Sequence, residues 1–130
     1  MESLLITILV TSVPILLAGT GELIAEKSGV LNLGVEGMML TGAVAALGSV
    51  LIFGNPLAGI FFGALAGILI SLIFSFFTIF LMTNQVATGL GLTIFATGLT
   101  GLIGEPFVGK TISSLPKIEI LFLSDIPFLG

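Results

Sequence analysis

Charged residues are absent from more than half of this chain. Residues 37–104 contain no Asp, Glu, Lys, Arg or His. A typical globular domain is about 25% charged, whereas this chain is 8% charged and 56% hydrophobic. A bilayer takes roughly 20 apolar residues to cross as a helix, so this run accommodates three passes, and the uncharged residues 3–21 add another. The pattern predicts an all-α, polytopic membrane helix bundle with about four transmembrane helices.

The composition excludes several other classes of protein. There is no Cys and no His, so we expect no disulfide, no metal site and no histidine chemistry. The net charge is −4, with seven acidic residues, three Lys and no Arg. This leaves no basic patch for a nucleic acid backbone. We expect neither a cofactor nor a nucleic acid partner.

The hydrophobic runs and their interruptions predict where the spans lie. The boundaries are set by Glu22 and Glu26, by the Gly54-Asn55-Pro56 turn signal, by polar residues after Met82 and by Gly104-Glu105-Pro106. The residues that precede the second span are glycine-rich and indicate a loop or a re-entrant turn. Glu2 stands where a signal peptide carries a positive charge, so the first span is interpreted as a retained anchor. The predicted spans are residues 3–24, 36–53, 57–82 and 86–103, with an extramembrane tail over residues 104–130.

Small residues recur at intervals of four along three of these spans. Helices in lipid associate where small side chains let their backbones approach, so such stripes predict packing surfaces of a compact bundle without a role in substrate handling. The third span carries Gly59, Gly63, Gly67, Ser71 and Ser75. The fourth carries Gly89, Thr93, Thr97 and Gly101, and the second carries Gly37, Thr41, Ala45 and Ser49.

Polar residues near the membrane are candidates for function because their burial in lipid is costly. Glu22, Glu36 and Glu105 all lie near predicted helix ends, where each is either an interfacial carboxylate or a functional one. Glu36 also falls in the first turn of a helix, where the dipole favours a negative group. Asn84 and Gln85 are suited to binding a sugar or a base, although such residues also cap helices and satisfy loop backbone.

No catalytic set can be assembled from these residues. There is no His or Cys to act as a base or a thiolate. Residues 104–111 formally match the phosphate-loop pattern, but that motif requires a preceding strand and a following helix. Here it follows a membrane span and precedes a Ser-Ser-Leu-Pro break. We interpret it as a chance match and expect no enzymatic activity.

Two segments resemble a known transporter family. Residues 21–43, GELIAEKSGVLNLGVEGMMLTGA, strongly resemble the permease subunits of ABC importers in the branch that carries nucleosides and simple sugars, the branched-chain amino acid/ribose-like permease family. Residues 84–90, NQVATGL, followed by Gly98-Leu99-Thr100, look like the same family further downstream. The chain resembles the N-terminal part of the smaller permease of a nucleoside importer. Because members of the family are longer, we expect these residues to be a piece of such a subunit.

The resemblance implies a function, a location and a set of partners. It implies a permease subunit in the plasma (inner) membrane that forms part of the translocation pathway for nucleosides or simple sugars. The implied partners are a second permease subunit, a separate ATP-binding subunit that hydrolyses ATP, and an extracytoplasmic substrate-binding protein. Alternating access would move a central cavity from one face to the other. We expect four residues to lie near that cavity: Asn32, Glu36, Asn84 and Gln85.

Two interpretations from other classes remain open on the sequence. One is a small ion- or proton-conducting subunit, like the glycine-rich hairpins of rotary ATPase rings. Such a ring needs a carboxylate at mid-span, and residues 37–104 contain none. The other is a structural membrane scaffold. Neighbouring genes for an ATPase, a second permease and a binding protein would distinguish the importer from both.

Overall fold

The computed structural model describes residues 1–112 and 114–115, and that part of the chain is helical with no strand. Four of its helices are long and apolar enough to cross a membrane, which confirms the predicted all-α helix bundle. A π-helical turn, Phe76–Phe80, continues the third helix, and a 3₁₀ turn, Glu105–Phe107, continues the fourth. The four helices are α1 Glu2–Lys27, α2 Val35–Phe53, α3 Pro56–Ser75 and α4 Gln85–Gly104.

Local sequence signals explain how α3 and α4 begin. The Oδ1 atom of Asn55 accepts a hydrogen bond of 2.9 Å from the Leu57 amide, and Pro56 occupies the first helical position. Asn84 caps α4 in the same way, because its Oδ1 accepts from the Ala87 amide at 3.0 Å. Asparagine is favoured at this position since it satisfies an amide that has no partner inside the helix.

The third span departs from an uninterrupted α-helix over residues 57–82. The α-helix ends at Ser75, the chain widens into the π-helical turn, and Met82 then takes a left-handed backbone conformation with φ of 50°. The Thr83 amide donates to the Phe77 carbonyl at 3.1 Å. π-Helical turns are rare and often lie at functional positions. The chain thus reverses direction within a few residues and reaches the start of α4.

Helix α2 lies between α3 and α4. A Cβ atom on Gly59 would lie 2.5 Å from Cγ2 of Val50, and one on Gly63 would lie 3.1 Å from the Gly42 carbonyl oxygen. These pairings run in opposite directions along the two chains, so α2 and α3 are antiparallel. On the other side, Gly37 lies against Thr93, and Gly48 lies against Phe107. Helices α2 and α4 are therefore parallel and begin at the same end of the bundle.

Helix α1 is peripheral. None of its residues is buried, and it makes few contacts with the other helices. Large apolar side chains are exposed along all four helices, an arrangement that water would not tolerate but that lipid favours. In the predicted tail, residues 105–107 form the 3₁₀ turn and residues 108–112 have no regular structure. The rest of that tail, residue 113 and residues 116–130, lies outside the described residues.

Candidate functional site

The segment between α1 and α2, residues 28–34, is non-helical and lies against the start of α4; we call it the docked loop. The Leu31 amide donates a 2.7 Å hydrogen bond to Oε1 of Gln85, and the Leu33 carbonyl accepts one of 3.1 Å from the Thr93 hydroxyl. Backbone beside lipid must find protein partners for its polar groups. Two side chains of α4 provide them here.

A glycine of α4 makes this docking possible. A Cβ atom on Gly89 would lie 2.9 Å from the backbone nitrogens of both Leu33 and Gly34. Real Cβ atoms essentially never come so close to other heavy atoms, so any larger residue would push the loop away from the helix. Gly89 therefore sets the distance at which Gln85 and Thr93 reach the loop.

On its other side the docked loop is bound to α1. The Asn32 amide donates to Oε1 of Glu22 at 3.0 Å. The Asn32 side chain in turn accepts from the Gly34 amide at 2.9 Å through Oδ1, which tightens the turn that leads into α2. One loop therefore links the peripheral helix to α4.

A cleft of about 1100 Å³ opens between α1, the docked loop, α2 and α3. Its walls are almost entirely apolar, and much of its floor is glycine and alanine. The four residues with polar side chains that line it among the described residues are Glu22, Asn32, Ser71 and Ser75. A concave apolar surface with a few polar groups is the usual form of a small-molecule site.

The four predicted pathway residues all lie at the end of the bundle where α2 and α4 begin, but in different surroundings. Asn32 lines the cleft. Gln85 is half-buried and holds the docked loop, and Asn84 is exposed and caps α4. Glu36 is exposed in the first turn of α2. The structure thus places one of the four in the lining of the cleft and the other three outside that lining.

The predicted packing stripes are divided in a similar way. Gly59 and Gly63 lie against α2, Gly89 lies against the docked loop, and Thr93 lies against Gly37. No described atom comes within 4 Å of a Cβ atom placed on Gly67 or Gly101. Ser71 and Ser75 line the cleft together with Gly67, and their hydroxyls bond to their own helix. Thr97 is exposed and bonds to the Thr93 carbonyl. Only part of the α3 stripe and part of the α4 stripe are therefore helix contacts.

Two residues contribute more than the sequence indicated. Thr93 was expected to pack, but its hydroxyl also binds the docked loop. Glu22 was left open between an interfacial and a functional role, and it lines the cleft with its Oε2 atom buried. The available signal was its position, since Glu22 is the first charged residue after the uncharged residues 3–21.

Residues 104–111 show no phosphate loop, because Gly104 ends α4 and the 3₁₀ turn follows it directly.

Comparison with known families and proteins identifies the chain's relatives. The family described as branched-chain amino acid transport system / permease component matches residues 4–127. The chain belongs to this permease family. Permeases are transport components rather than catalysts, and with four apolar helices this permease segment is a multi-pass protein of the plasma membrane.

Three curated relatives of the permease are similar over most of its length. It is 40% identical to the "Putative glucose ABC transporter permease protein TsgC13" of Haloferax volcanii, over 89% of this chain and 36% of that protein. It is 33% identical to the guanosine ABC transporter permease protein NupQ of Bacillus subtilis, over 94% of this chain and 42% of that protein. It is 28% identical to the nucleoside ABC transporter permease protein NupC of Lactococcus lactis, over 100% of this chain and 44% of that protein.

The permease segment described here spans less than half the length of each of these relatives. No solved structure gives a significant match.

Proposed function

We propose that this chain forms part of the translocation pathway in a membrane-spanning permease subunit of an ATP-driven importer for nucleosides or simple sugars. The single observation that carries the proposal is the family match over residues 4–127. The three relatives support the class of substrate, since their names specify glucose, guanosine and nucleosides. The cleft agrees with it, because its volume of about 1100 Å³ lies just above the roughly 300–1,000 Å³ usual for small-molecule sites.

The proposed partners follow from the same class of transporter. A second permease subunit completes the pathway, an extracytoplasmic substrate-binding protein delivers the substrate, and a separate ATP-binding subunit hydrolyses ATP.

Within this function, the pathway residues have distinct proposed roles. Asn32 contacts the passing substrate, because it lines the cleft. Gln85 and Asn84 act indirectly, since one holds the docked loop and the other caps the helix on which that loop lies. Glu36 places a negative charge beside the pathway entrance at the start of α2. Alternating access would open and close the cleft between α1 and the other helices.

Uptake by the assembled importer tests the proposal. The complete permease containing these residues is reconstituted in proteoliposomes with its partner subunits and ATP, and uptake of labelled guanosine and labelled glucose is followed. We expect ATP-dependent accumulation of at least one of them, and its loss when Asn32, Glu36, Asn84 and Gln85 are all replaced by Ala. Unchanged uptake by that variant would refute the pathway roles.

Proteoliposomes without ATP are the control. Flux of protons or other ions without ATP, with no accumulation of guanosine or glucose, would indicate the ion-conducting alternative. A correctly folded complex that moves neither solutes nor ions would favour the scaffold.

A further inference from the structure

Glu22 is the one charged residue that lines the cleft among the described residues. Only one of its two carboxylate oxygens has a hydrogen-bond partner among the described residues. Oε1 accepts the Asn32 amide at 3.0 Å, whereas Oε2 is buried and has no hydrogen-bond partner among the described residues. A buried acceptor of this kind is expensive to leave unsatisfied, the more so when it is charged. The hydrogen bond that holds the docked loop requires only one oxygen, so it does not explain why a carboxylate stands at this position.

The neighbouring Asn32 side chain has a hydrogen-bond donor with only a weak acceptor. Its Oδ1 is occupied by the Gly34 amide, while its Nδ2 contacts only the Sδ atom of Met38, at 3.5 Å. A thioether sulfur is a weak acceptor. The head of the cleft therefore holds a strong acceptor from Glu22 and a donor from Asn32, two residues that the hydrogen bond from the Asn32 backbone amide to Oε1 of Glu22 holds together.

The other two polar residues of the cleft differ in this respect. The Ser71 hydroxyl donates to the Ile68 carbonyl, and the Ser75 hydroxyl donates to the Ser71 carbonyl, both at 2.8 Å. Both hydroxyl protons are therefore bonded to carbonyl oxygens of α3. Strong recognition of a donor group therefore falls to Glu22.

We propose that Glu22 and Asn32 form a substrate-binding pair that takes the hydroxyl-bearing part of a neutral sugar or nucleoside. A shift of the Glu22 side chain exposes the buried Oε2 atom to a substrate hydroxyl, which donates to it, and a neighbouring hydroxyl oxygen accepts from Nδ2 of Asn32. The negative charge of Glu22 disfavours phosphorylated sugars and nucleotides at the same place, because a like charge in an apolar cleft is strongly repelled. The inference rests on the proposed function and adds to it the residue that discriminates neutral from anionic solutes.

Binding can be measured directly by protecting a cysteine in the cleft. Residues 1–130 contain no Cys, so in a complete importer from which any other reactive Cys has been removed, Ala25→Cys provides a single reactive site one turn from Glu22 on the cleft wall. In the complete importer, held in lipid without ATP and without the binding protein, we expect guanosine or glucose to slow alkylation of this site at least threefold. Guanosine monophosphate should protect only at about tenfold higher concentration. Lys27→Cys, exposed and outside the cleft, should not be protected.

The second arm places Glu22→Gln in the Ala25→Cys background. Glutamine keeps an oxygen that accepts a hydrogen bond from the Asn32 backbone amide, so the bond between Glu22 and the docked loop is retained. The negative charge and one acceptor oxygen are lost. We expect the half-protecting concentration of the neutral solute to rise about five- to tenfold, as a charged hydrogen bond is roughly twice as strong as a neutral one. The ratio of the half-protecting concentration of guanosine monophosphate to that of the neutral solute should become smaller. Glu26→Gln, exposed on the same helix, is the matched control and should change neither value.

The outcomes separate this inference from the proposed function. Import by the unsubstituted protein, combined with absence of protection at Ala25→Cys, would overturn the binding pair and leave the importer standing. Equal half-protecting concentrations with Glu and Gln at position 22 would assign Glu22 to loop anchoring alone. If Glu22→Gln does not fold, Asn32→Asp gives the same test, because it keeps the Gly34 bond, removes the donor and adds a repelling charge. Unchanged protection in that variant would equally overturn the pair.

Discussion

Helix α1 and the α2–α3–α4 group are equally apolar but are held in place by different means. Within the group, α2 approaches α3 at Gly59 and Gly63 and approaches α4 at Gly37, with backbone atoms almost in contact. Helix α1 has no buried residue and is joined to the rest through the Glu22–Asn32 hydrogen bond and the walls of the cleft. Lipid provides no hydrophobic force between helices, so apolarity alone keeps a helix in the membrane without fixing its neighbours. Close backbone approach holds α2 against α3 and α4, whereas α1 is held through the docked loop, by the Glu22–Asn32 hydrogen bond and by the bond from the Val30 amide to the Ala25 carbonyl.

The largest expected effect is at Gly89, where the docked loop meets α4. Gly89→Ala would place a methyl group 2.9 Å from two backbone nitrogens, and overpacking of this kind costs about 1–3 kcal/mol. The free energy of unfolding, measured by denaturant titration in mixed micelles, should fall by that amount. Gly91→Ala on the same helix meets no described atom within 4 Å and is the control. An equal loss in both variants would contradict the close approach.

A somewhat smaller effect is expected at Gly59. In Gly59→Ala the new methyl group would meet Cγ2 of Val50 at 2.5 Å and the Ala46 carbonyl oxygen at 3.1 Å. Part of this clash is relieved by movement of the valine, so we expect a loss of about 1–2 kcal/mol in the same titration. Gly67→Ala, two turns further along α3, meets nothing and should be neutral or stabilising by up to about 1 kcal/mol. A loss at Gly67 comparable to that at Gly59 would mean that the whole stripe is a helix contact.

The docked loop gives a more local prediction. Gln85→Ala removes the acceptor of the Leu31 amide, and loss of such a bond costs about 1 kcal/mol. Hydrogen exchange followed by mass spectrometry should show faster exchange over residues 28–34. Gln85→Glu keeps a side-chain oxygen at the same position and should retain most of the protection. If exchange in Gln85→Ala matched that of the unsubstituted protein, Gln85 would not hold the loop.

The smallest effect is expected on the outer surface of α1. Leu16 is 65% exposed and Ile70, on α3, is 6% exposed. Leu16→Ala should change the free energy of unfolding by less than about 0.5 kcal/mol, as surface substitutions usually do. Ile70→Ala should cost more, because it removes packing contacts. Similar losses for the two variants would show that α1 is packed as tightly as α3.

The fold was accessible from the sequence because one physical quantity dominates it. Absence of charge over residues 37–104 requires lipid, and lipid requires helices that satisfy their own backbone groups. Asn55 was likewise visible as part of a turn signal, and Asn84 as a residue of a type that caps helices. The end of the third span was not, since Phe76–Phe80 are as apolar as the helix before them and nothing in their composition marks a π-helical turn.

The site was less accessible because it depends on which neighbours meet. Gly59 and Gly67 share one stripe and one spacing, and both line the cleft, yet only a Cβ atom on Gly59 would meet atoms of α2 within 4 Å. Glu22 and Asn32 are joined across a change of direction between α1 and the docked loop, and helical periodicity carries no information about such a pair. The structure also separates roles that the sequence left together, since Asn32 lines the cleft while Gln85 holds the loop.

The docked loop has a mechanical consequence. It is fastened to α4 by Gln85 and Thr93 and to α1 by Glu22, so a displacement of α4 along its axis draws α1 with it. The outer helix then responds to force applied to α4, on the far side of α2. Three side-chain hydrogen bonds thus couple the outer helix to α4 through the docked loop.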